Sequence, residues 1–203
     1  MRRLCLIVAS TAFALLITGP AQAKSTEAPG TVVKTTVNKV LDILRSSQMS
    51  EEQKRVKVYA LVEARTDFVD MSRRILALNW RKATPAQHTR FEELFKRVLM
   101  GTYWNKIKHY TNEEVQFLTG MIRGNTYATV SSFVITTDKV KIPISYRMHL
   151  VRGKWLVYDF VVEKLSLDST YRSDYRGRIK DSGMDGLLKS MEVDIKKIES
   201  PSS

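Results

Sequence analysis

The chain has 203 residues, 43% hydrophobic and 27% charged, with 33 lysines and arginines against 21 acids, for a net charge of +12. That balance excludes a disordered or fibrous chain, and the length leaves room for a sizeable hydrophobic core. After residue 23 there is no apolar stretch of about 18 residues, so no membrane-spanning helix is predicted there.

The first segment reads as an address label. Arg2 and Arg3 make a basic start, Leu4 to Ile17 is a short apolar run, Gly19 and Pro20 break it, and Ala21-Gln22-Ala23 is an A-x-A cleavage pattern. Residues 1–23 are therefore predicted to be a secretory signal peptide. Its removal takes away Arg2 and Arg3 and lowers the net charge from +12 to +10. It also takes away Cys5, the only cysteine, so the mature chain from Lys24 has no thiol, disulfide or thiolate metal site. A soluble periplasmic protein is expected. The lysines and arginines are scattered, and export separates the chain from nucleic acid, so no nucleic-acid partner is expected. A solvated basic surface is the plain reading, and attraction to anionic membranes or acidic partner proteins is the alternative.

Residues 24–30, with Pro29 and Gly30, read as a linker, 31–198 as one domain and 199–203 as a tail. Val33, Val37, Val40, Leu41 and Leu44 recur at three and four, the stripe of a first helix. Ser50 with Gln53 is a capping box for a second, with Val56, Tyr59 and Val62 expected inward. Asp67 is a plausible cap for a third, with Phe68, Met71, Ile75 and Leu78 inward. Thr84, Pro85 and Gln87 open a fourth, whose stripe is Phe91, Leu94, Phe95, Val98, Leu99 and Tyr103.

The period then changes to alternation. Strands are predicted over Val115 to Thr119, Tyr127 to Thr136, one bearing Ile142, Ile144, Tyr146, Met148 and Leu150 on one face, and Trp155 to Leu165 with Leu156, Tyr158, Phe160 and Val162 on one face. Arg152-Gly153 reads as a tight hairpin. Pro143 requires a bulge or an edge, because it has no N–H for the ladder. A helical pattern returns with Leu167, Tyr171 and Tyr175, and a last helix runs from about Asp185, with Gly183 and Gly186 at its boundary. Helices, an antiparallel meander, then helices make an α+β domain.

Catalytic patterns are missing. His88, His109 and His149 form no metal-ligand spacing, and there is no nucleophile elbow or phosphate-binding glycine loop. Asp159 lies off the expected apolar face, where a surface or hydrogen-bonded role is the plain reading. The inward sets of the last two strands contain no histidine or carboxylate, which disfavours an enzyme with a cone-shaped α+β pocket, the competing reading.

Several strings carry a resemblance. They are Asp67-Phe68 with Met71, Asn79-Trp80-Arg81-Lys82-Ala83-Thr84-Pro85-Ala86-Gln87, and Phe91-Glu92-Glu93-Leu94-Phe95 with Leu99 and Thr102-Tyr103. The later ones are Trp155 to Glu163 with Ser166-Leu167, then Tyr171-Arg172-Ser173-Asp174-Tyr175 and Gly183-Met184-Asp185-Gly186-Leu187-Leu188. In order and spacing they resemble the MlaC family, the toluene-tolerance periplasmic proteins, from about Val32 to Met191. Val69-Asp70, Thr170 and the Lys-rich segment after Met191 depart from the family pattern.

The resemblance implies a curved antiparallel sheet of about four strands, wrapped by N- and C-terminal helices around an apolar lipid cavity. It implies a periplasmic carrier that moves phospholipid between an outer-membrane lipoprotein complex and an inner-membrane ABC transporter complex with its substrate-receiving subunit. A polycyclic lipid such as a hopanoid is the alternative cargo, and no cofactor or metal is implied. The residues expected to line the cavity are Phe68, Met71, Ile75, Leu94, Phe95, Val98, Tyr103, Tyr146, Met148, Tyr158, Phe160, Val162 and Tyr171. The same residues could simply pack against one another. Arg147 and Arg172 are the headgroup candidates, because a planar guanidinium fork matches phosphate oxygens. Surface ion pairs are the plainer role for both.

Overall fold

A computed structural model describes residues 27–110 and 112–200. The expected signal peptide, linker residues 24–26 and tail residues 201–203 lie outside the described residues. Helix α1, Pro29–Arg45, begins inside the expected linker, because Pro29 suits the first helical position, where its missing N–H is not needed. Helix α2, Glu51–Glu63, opens on the capping box: Gln53 N–H donates to Ser50 Oγ at 3.2 Å and Ser50 N–H to Gln53 Oε1 at 3.0 Å. Its buried face is set by Val58, with Tyr59 and Val62 half-buried, whereas Val56 is 57% exposed. Two residues back along a helix is more than half a turn, so Val56 lies on the far side from Val58.

Helix α3, Phe68–Leu76, is capped by Asp67, whose carboxylate accepts from Asp70 N–H at 2.9 Å. It stops at Ala77, where φ is 49°, and a 3-10 turn covers Ala77–Lys82. Leu78 thereby leaves the stripe and is 73% exposed, not inward as expected. Helix α4, Pro85–Ile107, starts on the Thr84–Gln87 box.

The strands are β1 Glu114–Phe117, β2 Met121–Arg123, β3 Tyr127–Ile135, β4 Lys141–Val151, β5 Lys154–Val162 and β6 Leu165–Ser166. They form one curved, unclosed antiparallel sheet in the order β1-β3-β4-β5-β6, with β2 also on β3. The two strands beyond the expected four, β2 and β6, are too short to show an alternating pattern. Pro143 sits where β5 leaves β4. Its carbonyl accepts from Glu163 N–H at 3.0 Å, and the missing donor falls on the same side, past the last paired residue, Val162.

β5 carries a bulge. Arg147 is opposite Asp159 and Met148 is opposite Val157, so Tyr158 is an extra residue. Alternation changes phase there. Trp155 and Val157 face inward on one side of the bulge, and Phe160 and Val162 on the other. This corrects the expectation that Leu156 and Tyr158 share a face with Phe160. On the outer edge of β5, the α2–α3 turn takes the place of a strand: Asp67 N–H donates to Val157 O and Val157 N–H to Arg65 O, both at 2.8 Å.

Helix α5, Leu167–Glu199, is broken at Gly183 (φ 72°, ψ −177°), a conformation open essentially to glycine alone. The main core lies among α3, α4 and α5, where Met71, Phe91, Leu94, Phe95, Leu187 and Met191 are fully buried. Gly101 lets α5 close on α4, since a Cβ there would stand 2.7 Å from Ile198 Cγ2. A second cluster joins the start of α1 to the sheet through Val32, Val33, Val130, Met148, Trp155 and Val157.

Candidate binding cavity

Between these two cores lies a cavity of about 360 Å³. Its floor is the inner face of the sheet, with Val134, Ile142, Ile144, Tyr146, Met148, Val157, Phe160 and Val162. Its walls are three helices. α1 contributes its whole stripe from Val32 to Leu44, α2 contributes Val58, Tyr59 and Val62, and α4 contributes its second half from Leu99 to Ile107.

The lining is almost entirely carbon. Thr36 and Thr66 reach the cavity, but their hydroxyls donate back to Val32 O at 2.7 Å and Val62 O at 2.8 Å, within their own stretch of chain. Tyr146 Oη lies 3.4 Å from Ser132 Oγ. Burial raises the Tyr146 phenol above its usual pKa and pushes Tyr103 up to about 12, so both stay neutral. Among the described residues no histidine lines the cavity, and the one carboxylate is Glu163.

The cavity has a closed end and an open end. At the closed end Val32, Val33, Met148 and Val157 are buried, and the Arg65–Glu27 ion pair, 3.6 Å, lies beside them. At the other end Tyr103, Ile142 and Val162 are half-buried, and Lys106 and Glu163 are exposed. Lys106 Nζ lies 5.3 Å from the centre of the Tyr103 ring.

Of the residues expected here, Tyr103, Tyr146, Met148, Phe160 and Val162 line the cavity. Phe68, Met71, Ile75, Leu94, Phe95 and Val98 do not. They belong to the packed core, because the first half of α4 faces α3 and α5, and only its second half faces the sheet. Tyr171 packs edge-on against Phe95, centroids 5.2 Å apart, in that same core. Tyr158 is turned outward by the bulge, 5.3 Å from the His149 ring and 4.2 Å beneath the Arg74 guanidinium.

Neither arginine reaches the lining. Arg147 pairs with Asp159, and Arg172 Nε donates to Arg74 O at 2.9 Å. Asp159 is 1% exposed and also accepts from Ser166 Oγ at 2.8 Å and Asp168 N–H at 3.1 Å. The α1 and α2 walls are what sequence reasoning missed. The α1 stripe was visible, but nothing in its spacing said whether it met another helix or an empty space.

This fold and site define an α+β binding protein with an internal apolar cavity open at one end. A family model described as MlaC protein matches residues 34–193. The chain belongs to the MlaC family. It is 26% identical over 176 residues to toluene tolerance protein ttg2D of Pseudomonas putida, across 84% of this chain and 82% of that protein. Among solved structures it is similar to the phospholipid-binding protein from Ralstonia solanacearum in complex with a phospholipid. The TM-score is 0.75 and the identity 25%, over 83% of this chain and 97% of the other.

Proposed function

We propose that the protein is a phospholipid carrier. The observation that carries this reading is the carbon-lined cavity, closed at Val32 and Met148 and open at Tyr103 and Val162. A diacyl lipid has on the order of 30 methylenes, and at about 0.8 kcal/mol each their exposure to water costs roughly 24 kcal/mol. A ferrying protein must therefore enclose the tails. No bond is made in the process, so what the cavity must supply is a mostly aliphatic and aromatic lining, and this one has it. The volume of about 360 Å³ is at the low end of the ligand-site range, about 300–1,000 Å³. A two-chain lipid needs more room than this volume encloses.

The work is set in the periplasm, after cleavage of residues 1–23. Family membership supports exchange with an outer-membrane lipoprotein complex and an inner-membrane ABC transporter complex. The test is native mass spectrometry of exported protein, with the bound molecule identified after organic extraction. Recovery of stoichiometric phospholipid is expected. A polycyclic lipid would reassign the cargo, and an empty protein that takes up no phospholipid from vesicles would end the carrier reading.

A further inference from the structure

The open end of the cavity continues into an exposed lip. Val140 and Leu165 are 56% and 66% exposed. The sheet register puts both on the cavity side. Leu165 is paired with Val162, and Val162 with Ile144, and paired residues point to the same face. Val140 precedes Ile142 and Ile144 by two and four residues, and its carbonyl still accepts from Thr136 N–H at 3.0 Å, so the alternation reaches it. The apolar floor thus runs out past the mouth into water on two turns of the sheet.

Lysines surround these two side chains. Lys139 and Lys141 flank Val140, Lys164 precedes Leu165, and Lys106 stands on the helical side of the mouth; all four are exposed. Among the described residues none of the four forms an ion pair, and Lys106 makes the ring contact with Tyr103 already given. The acids of the same rim are Asp138 and Glu163. Lys139 and Lys164 have positive φ, 64° and 70°, so both belong to tight turns that hold their neighbours outward.

We propose that this lip docks the mouth of the cavity on an anionic bilayer surface. Val140 and Leu165 enter the headgroup boundary, and the lysines meet lipid phosphates. The proposal rests on the carrier reading, since it holds the mouth at the bilayers in which the two exchange complexes sit. A bilayer suits this surface better than a protein partner does. A standard protein interface covers about 800 Å² per side with a packed apolar centre. Here the apolar part is two separate tips, and the charge is spread around them. Apolar tips with a cationic rim are what interfacial binding to anionic lipid requires.

The test uses protein exported by an expressing bacterium and purified from its periplasm. It is floated with vesicles of phosphatidylcholine alone, and with vesicles in which about a third is replaced by phosphatidylglycerol. Binding to the anionic vesicles only, released by salt, is expected. Combining Lys139→Gln, Lys141→Gln and Lys164→Gln should weaken it on the order of 100-fold, at about fivefold per lysine. Combining Val140→Ser and Leu165→Ser should weaken it at least about tenfold. Leu78→Ser, an exposed apolar side chain in the 3-10 turn that precedes α4, should change nothing. Thermal melts confirm that each variant is folded, and mass spectrometry reads its bound lipid, which should match the parent protein. A lipid-loaded parent that ignores anionic vesicles overturns the docking proposal and hands the lip to a protein partner. Equal binding to neutral vesicles, or lip variants that float like the parent, overturns it as well. A parent that floats as expected but never holds lipid leaves the docking surface standing and removes the carrier reading instead.

Discussion

Arg147 Nη1 lies 3.0 Å from Asp159 Oδ2, across β4 and β5 and on the face of the sheet turned away from the cavity. The arginine is half exposed and the carboxylate is fully buried, so the pair anchors the turn into α5 and is not aimed at a ligand. Arg147→Ala should lower stability by about 1–2 kcal/mol, discounted for the exposure of the arginine, and leave bound lipid unchanged. Urea denaturation beside lipid extraction checks both halves. Loss of lipid with unchanged stability would restore a headgroup role.

Met148 and Leu94 separate cavity from core. Both are fully buried, but only Met148 lines the cavity. Met148→Trp should displace lipid, with a loss of about 1–3 kcal/mol in stability. Leu94→Ala should lower stability by about 2–5 kcal/mol while the folded fraction keeps its lipid. The ratio of bound lipid to folded protein is the quantity to compare.

Asp168 is buried beside Asp159, and one of its carboxylate oxygens, Oδ1, has no hydrogen-bond donor among the described residues. Burial, then the neighbouring Asp159 charge, pushes its pKa up to about 7. Between the ordinary carboxylate range and pH 7 the folded protein therefore holds a proton that the unfolded chain has lost. Stability from this group falls as pH rises through that window and stays low above it. Asp168→Asn should flatten the slope, matching the parent near pH 4 and exceeding it near pH 8 in melting temperature. A variant with the same slope as the parent would place the titration elsewhere.

Gly183 holds the break in α5 at φ 72° and ψ −177°. Gly183→Ala should cost roughly 1–3 kcal/mol, although a Cβ there meets no atom within 4 Å. Gly177→Ala, in open space on the same helix with no positive φ, should be neutral or stabilising. Equal effects of the two would remove backbone strain as the cause.

Caps and periods made most of the fold legible. Ser50–Gln53, Asp67 and Thr84–Gln87 each open the helix that their spacing implies, because the capping chemistry is local. The long strands were equally visible. The site was half visible. Phe91, Leu94, Phe95 and Leu99, Tyr103 read as one stripe, yet the helix gives the first part to other helices and the second to the cavity. Periodicity reports that a face is buried and carries no information on what it is buried against. Tyr158 was misplaced because one extra residue reverses every later side chain, and strand composition does not reveal a bulge.

That extra residue shapes the outside of β5 and leaves the cavity floor alone. Trp155 and Val157 face inward before it and Phe160 and Val162 after it, with two outward residues, Tyr158 and Asp159, between the pairs. Loss of Tyr158 alone would put Asp159 directly after Val157 and restore plain alternation, with both pairs still inward. What the shortened strand would lose is the ring that lies 5.3 Å from His149 and 4.2 Å from the Arg74 guanidinium. A deletion at this one position is thus expected to spare the container and unseat the contacts behind it.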